Sequence, residues 1–453
     1  MKITRRGFLK SSVAAGALAG ASQMLPLSQS FAQQAGGSRG FFFIHLFGGM
    51  DTLYHLAPEA LPNMVNRDID PLLVTTTSSG VRYYDPLWFE MRDHMEDCVS
   101  IRNIPSATGH FTGGGEIYFG TRSSAEMAAV EFPWFNFASS ELLARQFVVA
   151  PALLTHVVRG DSALSRFFSV NNRSPDPSAA AQRVAEIQAF ADSLDALAGL
   201  PDASYQRKLF LRQAELNART YRQDTQRDFI ERFSGSVDQS NSLIDNPVPQ
   251  VWPPSPELRA KFALTDDELA EPFIDLAGTE QQLALAYECA RLKMANCFYL
   301  QSLNEFDYDS HTNNVVRQTA ASGRVMPRIA QLLTALKTTP SPYDATRTMF
   351  DDYSVVVFSE IGRANAPDLA GNRDGLGTPH WGWTSAACFG GGFKRGFSFG
   401  AIDSLARGVP ADFATGALEE GRVPTPSDLA ATLLAATGLP TNNYGEPIEA
   451  VLA

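Results

Sequence analysis

The sequence predicts an α/β protein with a doubly wound, mostly parallel central sheet, and three observations support this. Several short apolar runs, rich in β-branched and aromatic residues, are continuous rather than alternating, which is typical of parallel strands buried on both faces. Segments with helical periodicity lie between these runs. The chain has 453 residues, 44% of them hydrophobic, enough for the core of one large α/β domain with insertions.

Six apolar runs are predicted to be strands. In chain order they are Gly40–Phe47, Cys98–Ile104, Phe147–Val158, Asn296–Leu303, Tyr353–Ser359 and Ser385–Gly391. Helical spacing occurs between Val184 and Leu197 and within Thr279–Ala295. Near the end of the chain, Thr425 and Asp428 have the spacing of a capping box, with Pro426 at the first helical position. A helix is therefore expected to begin at Pro426.

The first 32 residues have the features of an export signal. Ile3–Lys10, ITRRGFLK, is a twin-arginine pattern, a short apolar stretch follows, and Ser30 and Ala32 are small residues at the cleavage positions. The apolar stretch is too short and too rich in Gly and Ala to span a membrane. We expect residues 1–32 to be a twin-arginine signal peptide, the twin-arginine translocase to be a partner during export, and the mature chain to be periplasmic or secreted.

Residues 33–453 are predicted to form a single domain. Within it, residues 174–295 are charged and mainly helical in pattern, and they contain the Pro-, Ser- and Asn-rich segment Ser234–Pro256. We interpret this part as a helical insertion over the sheet. No segment of the mature chain resembles a membrane span.

Charge and cysteine content exclude several classes of function. The net charge of −12 becomes about −16 once the four basic residues of the signal are removed, which disfavours binding to nucleic acid or to an anionic membrane. The four cysteines lack metal-type spacing, so one disulfide and buried free thiols both stay open. An oxidoreductase has no support, since no Gly-x-Gly-x-x-Gly turn, haem motif or cysteine cluster is present.

Polar residues accompany the predicted strands at the places where doubly wound sheets bind ligands, beyond the carboxyl ends of the strands. The candidates are Asp51 after the first strand, Ser106, Thr108 and His110 after the second, Asp309 and His311 after the fourth, Glu360 and Arg363 after the fifth, and His380 before the sixth. A mixed set of carboxylates and imidazoles suits zinc, manganese or iron better than calcium. Ser106 or Thr108 could act as a nucleophile beside a metal, and Arg363 could clamp a tetrahedral anion.

Each candidate also has a structural interpretation. Asp51 could cap the next helix, because Asp is a favoured N-cap residue. In the same way, His110 could be a turn histidine bonded to backbone, and Asp309 and His311 could form a hydrogen-bond pair within a loop. Glu360 and Arg363 could form a structural ion pair, and His380 could be a packed neutral ring beside Trp381 and Trp383. His45, inside a strand, is interpreted as a core histidine.

The same turns carry a family resemblance. GGMD, the GHF of TGHF, DSH, FSEIGR and the segment from PHW to GGG resemble, in this order, the signatures of the domain-of-unknown-function 1501 family. These signatures span about Gly40 to Leu439. The resemblance implies a fold of the alkaline phosphatase and sulfatase type, a site for one or two divalent metals at the strand ends, and hydrolysis of phosphate or sulfate esters.

The resemblance also suggests roles for single residues and shows two departures. Asp51, Asp309, His311, His380 and Glu360 would be metal ligands, and Ser106 resembles the nucleophile of cofactor-independent phosphoglycerate mutases, with Thr108 second and His110 as a ligand or proton donor. Gly109 replaces the family's Ser, and Pro379 replaces its Asp before His380, so one expected carboxylate is missing unless Asp374 substitutes for it.

Two hypotheses of different classes follow. In the first, the protein is an exported metal-dependent hydrolase acting on a small-molecule or polymeric phosphate or sulfate ester. In the second, it is a non-catalytic family member that binds or helps assemble a cell-envelope partner or polymer. Gly109 and Pro379 favour this second hypothesis.

Overall fold

The strands in the described part of the chain build one large sheet and three small ribbons. The computed structural model describes residues 38–58, 73–107, 109–110, 113, 116–117, 120, 134, 138, 156–158, 254–264, 279–293, 296–301, 308–311, 314–363, 380–441 and 444–453. Within these residues the large sheet has seven strands, in the order β11-β4-β10-β7-β1-β6-β5. Its strands are β1 Gly40–His45, β4 Val99–Pro105, β5 His156–Val158, β6 Cys297–Gln301, β7 Tyr353–Phe358, β10 Trp383–Gly390 and β11 Phe397–Phe399. The ribbons pair β2 Val74–Thr76 with β3 Arg82–Tyr84, β8 Gly362–Arg363 with β9 His380–Trp381, and β12 Ala401–Ile402 with β13 Gly408–Val409.

The sheet is mostly parallel, as the sequence predicts. Strand β1 pairs in parallel with β6 and β7, β5 with β6, and β11 with β4, whereas β10 is antiparallel to both of its neighbours. All six predicted strands contribute to this sheet, although only His156–Val158 of the third lies among the described residues. The short edge strand β11 was not predicted, because it has only three residues.

Helices cover both faces of the sheet. They are α1 Thr52–His55, α2 Asp85–Trp88, α3 Pro256–Phe262, α4 Thr279–Arg291, α5 Asn314–Thr338, α6 Met349–Asp352 and α7 Pro426–Ala436, with 3-10 helices at Phe89–Asp97 and Glu449–Val451. Phe42 and Ile44 of β1 belong to one core cluster together with α4 and α5. Phe41 and Phe43 belong to a second cluster together with α7. Successive β1 side chains therefore serve opposite cores, which explains the continuous apolar run.

Two helices show where local sequence signals succeed and fail. Helix α7 begins at Pro426, and the capping box of Thr425 and Asp428 is present as predicted. The long helix α5 was not predicted, because Gly323 and Pro327 interrupt its pattern. Burial of its apolar stripe against the sheet outweighs the local cost of these two residues.

The cysteines among the described residues are free thiols. Cys98 and Cys289 lie in the first core cluster, and Cys297 and Cys388 lie in the second, all of them buried. Burial raises the pKa of each thiol, which keeps the side chains neutral. The structure therefore bears out buried free thiols rather than a disulfide.

Some predictions concern residues that the structure does not describe. The proposed signal, residues 1–32, and most of the predicted insertion, residues 174–295, lie outside the described part of the chain, although α3 and α4 fall within the insertion. No helix of the described part combines the length and apolar character needed to cross a membrane.

The topology brings the candidate residues to one edge of the sheet. Strands β1, β6 and β7 are parallel in register, with His45 opposite both Gln301 and Phe358, so their carboxyl ends coincide. Strand β4 also ends at this edge, because its last residue Pro105 pairs with Trp383 at the start of β10. The segments that follow β1, β4, β6 and β7, and the segment that precedes β10, therefore meet here.

Candidate metal centre

Four of the predicted site residues form a compact cluster at this edge. His110, Asp309, His311 and His380 each offer one ligand atom, and these atoms all lie within 4.8 Å of one another. The four residues come from three separate stretches of the chain: His110 follows β4, Asp309 and His311 follow β6, and His380 begins β9. We refer to these residues as the His/Asp cluster. Its donor set could hold a metal ion.

Asp309 lies at the centre of the His/Asp cluster. Its Oδ1 atom is 3.1 Å from Nε2 of His311, 3.5 Å from Nε2 of His110 and 4.0 Å from Nε2 of His380. Arg363 donates a hydrogen bond to the same oxygen. The neighbouring positive charges hold the pKa of this carboxyl below its usual range, against the effect of burial, so Asp309 is an anion.

The histidine rings of the cluster pack directly on one another. The ring centroids of His110 and His380 are 4.4 Å apart in an edge-to-face arrangement, and those of His311 and His380 are 4.7 Å apart. The side chain of His311 is 54% exposed, whereas that of His110 is only 13% exposed. The cluster is therefore anchored on one side and open to solvent on the side of His311.

Glu360 contacts the His/Asp cluster on its buried side, through His110. Its carboxylate is fully buried, and Oε1 accepts hydrogen bonds from Nδ1 of His110 at 2.6 Å and from the backbone N–H of Gly48 at 2.9 Å. Oε2 accepts from Nε2 of His45, and the Ser359 hydroxyl lies 3.1 Å from Oε2 but makes its shorter bond, at 2.8 Å, to the carbonyl oxygen of Leu46. Burial alone would raise the pKa of Glu360, but the bonds from His110 and His45 lower it to about 2. Glu360 is not one of the four clustered residues, so its prediction as a metal ligand finds no support in these contacts.

The pKa of His110 follows from the same contacts. Burial lowers it, but the hydrogen bonds and charges of Asp309 and Glu360 act more strongly in the other direction and raise it to about 9. His311 behaves differently, since its pKa is lowered by burial and by the Arg363 charge. In the absence of a metal, His110 therefore carries a proton on both ring nitrogens at neutral pH.

Arg363 joins the Gly48–Gly49 turn to Asp309. Its buried guanidinium donates from Nε and an Nη to the carbonyl oxygen of Gly48 and from an Nη to Asp309. Gly48 and Gly49 have φ of 111° and 97°, and a Cβ on Gly48 would lie 2.5 Å from the backbone nitrogen of Asp309. The glycines thus let the first turn pack closely against the segment that carries Asp309. The Glu360 charge also acts on this guanidinium and favours its charged form, as the predicted pairing of Glu360 with Arg363 requires.

Asp51 lies behind the cluster as the N-cap of α1. Its buried carboxylate accepts from the backbone N–H groups of Leu53 and Tyr54 and from the side-chain amide of Asn314. These contacts support the N-cap interpretation, and Asp51 is not one of the four clustered residues. Its role as the first metal ligand stays a prediction.

Gln318 on α5 connects the two turns around the site, and the sequence contains no signal for it. Its side-chain oxygen accepts from the backbone of Asp51 and from His55, and its nitrogen donates to the carbonyl oxygens of Gly49 and Tyr308. A single buried amide thus ties the turn after β1 to the segment that carries Asp309. Sequence reasoning missed this residue because α5 itself was not predicted.

The neighbouring His55 predicts a measurable dependence of stability on pH. Burial lowers its pKa to about 4, so the unfolded chain binds a proton near pH 6.5 that the folded protein takes up only near pH 4. Stability should therefore fall as the pH falls through this window. The His55 contribution between about pH 7.5 and about pH 5 is about 2 kcal/mol.

The variant His55→Gln removes this titration and keeps a donor for Gln318. Urea unfolding of both proteins in the presence of a chelator should give a shallower pH dependence for the variant, by about 2 kcal/mol over this range. Parallel stability curves for the two proteins would show that His55 is not the group responsible.

The predicted nucleophiles are only partly described. Ser106 is half-buried beside β9, where its backbone N–H donates to Gly382 and its hydroxyl lies 3.5 Å from the carbonyl oxygen of Trp381. This long contact leaves the hydroxyl loosely held. Thr108, Asp374 and Pro379 lie outside the described residues. The nucleophile stays a prediction.

Together these features define an α/β protein with a cluster of imidazoles and one carboxylate at the carboxyl edge of its sheet. The family model described as "Protein of unknown function (DUF1501)" matches residues 177–446, more than half of the chain, and the chain belongs to that family. The matched part includes Asp309, His311, Glu360, Arg363 and His380. The turns with Asp51, Ser106 and His110 precede it.

Comparisons with curated proteins and solved structures are less informative. No curated protein matches the chain. One similar solved structure is the phosphonate monoester hydrolase SpPMH from Silicibacter pomeroyi, which is 14% identical, with 90% of this chain and 75% of that chain covered and a TM-score of 0.32. A likeness of this size supports no statement about activity.

Proposed function

We propose that the protein is a metal-dependent hydrolase that cleaves phosphate or sulfate esters at the His/Asp cluster. The observation that carries this proposal is the convergence of His110, Asp309, His311 and His380 from three stretches of the chain. The family resemblance of the same turns supplies the class of substrate. Export by the twin-arginine route belongs to the proposal and rests on the sequence pattern alone.

The donor set fits a divalent transition metal. Three imidazole nitrogens and one carboxylate oxygen suit zinc, manganese or iron, and each ligand atom would lie about 2 Å from the ion. The ligand atoms already lie within 4.8 Å of one another, so small side-chain movements would bring them to these distances. Asp309 would remain ionised throughout, because its pKa is lowered.

The surrounding residues would hold the cluster in place and leave one side accessible. Arg363 fixes Asp309, and Glu360 fixes His110. A metal bound here would polarise the ester and lower the pKa of a water or hydroxyl nucleophile. The exposed side of His311 would admit the substrate. Arg363 is already bonded to Gly48 and Asp309, so its role is to position Asp309 rather than to clamp the anion.

The metal content of the purified protein tests this proposal. We expect about one zinc, manganese or iron ion per chain in the wild type, by elemental mass spectrometry, and close to none in Asp309→Ala. The control is Asp93→Ala, which removes an exposed carboxylate outside the cluster and should retain the metal. Equal metal content in the wild type and Asp309→Ala, or none in all three proteins, would contradict the proposal.

Activity provides the second part of the test. We expect the wild type and Asp93→Ala to hydrolyse p-nitrophenyl phosphate or p-nitrophenyl sulfate, and a chelator to abolish this activity. Asp309→Ala should be inactive. Ser106→Ala would distinguish a serine nucleophile from a water nucleophile. Activity is lost in this variant if the Ser106 hydroxyl is the nucleophile and is kept if water is the nucleophile. A metal-loaded protein inactive on both ester classes would favour a non-catalytic binding protein.

A further inference from the structure

We propose that His45 and Tyr299 are positioning residues for His110 and act on it through Glu360. This inference rests on the proposed function, because it assigns His110 the role of a metal ligand. The side chains form one continuous line of hydrogen bonds. The Tyr299 hydroxyl lies 2.7 Å from Nδ1 of His45, Nε2 of His45 lies 2.9 Å from Glu360, and the other Glu360 oxygen lies 2.6 Å from Nδ1 of His110.

The donors and acceptors along this line can be assigned from the contacts. The Glu360 carboxylate accepts the Gly48 N–H at Oε1, and a carboxylate accepts hydrogen bonds but has no proton to donate. His45 and His110 must then donate to Glu360 from Nε2 and Nδ1, respectively. Nδ1 of His45 and the Tyr299 hydroxyl share the remaining bond of the line, in which either group can donate.

This assignment determines which nitrogen His110 presents to the cluster. With Nδ1–H directed at Glu360, Nε2 faces Asp309 at 3.5 Å. A histidine that donates one ring N–H to a carboxylate is held in the orientation and tautomer that a metal ligand requires. The line of hydrogen bonds therefore orients His110 before any ion arrives.

Packing keeps the line rigid. His45, Glu360 and Tyr299 are exposed by no more than 1%, which excludes competing water. The His45 ring stacks on Phe358 with centroids 4.8 Å apart and contacts the Phe47 ring edge-to-face. Tyr299 on β6 lies opposite Phe43 of β1. Phe43 and His45 are two positions apart and lie on the same face of β1, so the Tyr299 hydroxyl reaches the His45 ring diagonally.

Zinc affinity measured by chelator competition tests the inference. We expect His45→Leu to bind zinc about 10- to 100-fold more weakly than the wild type, as for other residues that support a metal ligand, and Tyr299→Phe to show a smaller loss. His45→Gln keeps a donor near the position of Nε2 and should recover most of the affinity. The matched control is Tyr353→Phe, which removes another buried tyrosine hydroxyl from the same sheet and should bind like the wild type.

A second measurement needs no metal. In protein labelled with ¹⁵N in the histidine rings, the Nδ1 proton of His110 should be protected from exchange in the wild type and in Tyr353→Phe. It should exchange faster in His45→Leu and Tyr299→Phe. A merely structural role would lower the stability of these variants without changing zinc affinity or this signal, and that result would overturn the inference.

Zinc affinity and the exchange of the His110 Nδ1 proton together distinguish a failure of the proposed function from a failure of this inference. A wild type that binds none of zinc, manganese and iron would contradict the proposed function, and the protection of the His110 proton would still decide whether His45 and Tyr299 position the ring. A wild type that binds zinc, with unchanged affinity and protection in the variants, would overturn the inference alone. If His45→Leu does not fold, Tyr299→Phe decides, because it keeps the aromatic ring.

Discussion

Replacing Glu360 with alanine is expected to lower the free energy of unfolding by about 3–5 kcal/mol, because the carboxylate is the shared acceptor of a buried hydrogen-bond network. Its two oxygens accept from His45, Gly48 and His110. The variant would leave these donors without an acceptor and would remove the anion beside the cationic His110 ring. Each buried donor that loses its partner costs about 1–3 kcal/mol on its own.

Urea unfolding of the metal-free protein measures this effect. The control is Glu446→Ala, which removes a glutamate that is 66% exposed and paired with Arg422, 45% exposed, and it should cost less than about 1 kcal/mol. The two variants remove the same side chain, so the difference between them reports the surroundings of Glu360. Similar losses in both variants would show that the network contributes little to stability.

The effect should also depend on pH with a defined sign. The pKa of Glu360 is about 2 in the folded protein, below its usual value of 4.5, so the carboxylate contributes stability above about pH 4.5 that is lost as the pH falls towards 2. The difference between the wild type and Glu360→Ala should therefore shrink in acid. A constant difference over this range would contradict the ionised network.

The sheet was predictable from the sequence because its strands are buried on both faces. Such strands read as continuous apolar runs, and YSVVVF forms β7 as expected. Helix α7 was predictable because its capping box is a local signal. Helix α5 was not predictable, because Gly323 and Pro327 obscure a pattern that becomes favourable only when the helix packs on the sheet.

The candidate site was partly predictable for a related reason. Carboxyl ends of parallel strands meet at one edge, so polar residues after the strands identified His110, Asp309 and His311, and the turn before β10 identified His380. The same rule cannot distinguish a ligand from a cap, and Asp51 at its turn caps α1. Strand residues such as His45 gave no signal, since a histidine within an apolar run is indistinguishable from any core histidine until its partner is known.

Metal binding is expected to weaken about 100-fold between about pH 8 and about pH 6, because the ion competes with a proton on His110. Asp309 and Glu360 raise the pKa of this ring to about 9, so below that value the metal-free ring is cationic. A metal needs the lone pair of Nε2, and the proton must leave before it binds. The apparent affinity should then fall about tenfold for each pH unit below 9.

Calorimetric titration with zinc in buffers of different ionisation enthalpy measures this competition. At pH 7 we expect release of about one proton per bound ion, since His110 is almost fully protonated at that pH. Asp309 adds no proton in this range, because its pKa is held below that of an ordinary carboxyl. The variant Glu360→Gln removes one of the two anions that raise the pKa of His110, so the pH dependence of zinc binding should shift to lower pH. An affinity that stays constant from pH 6 to pH 8 would show that His110 is neutral before the metal binds, or that it is not a ligand.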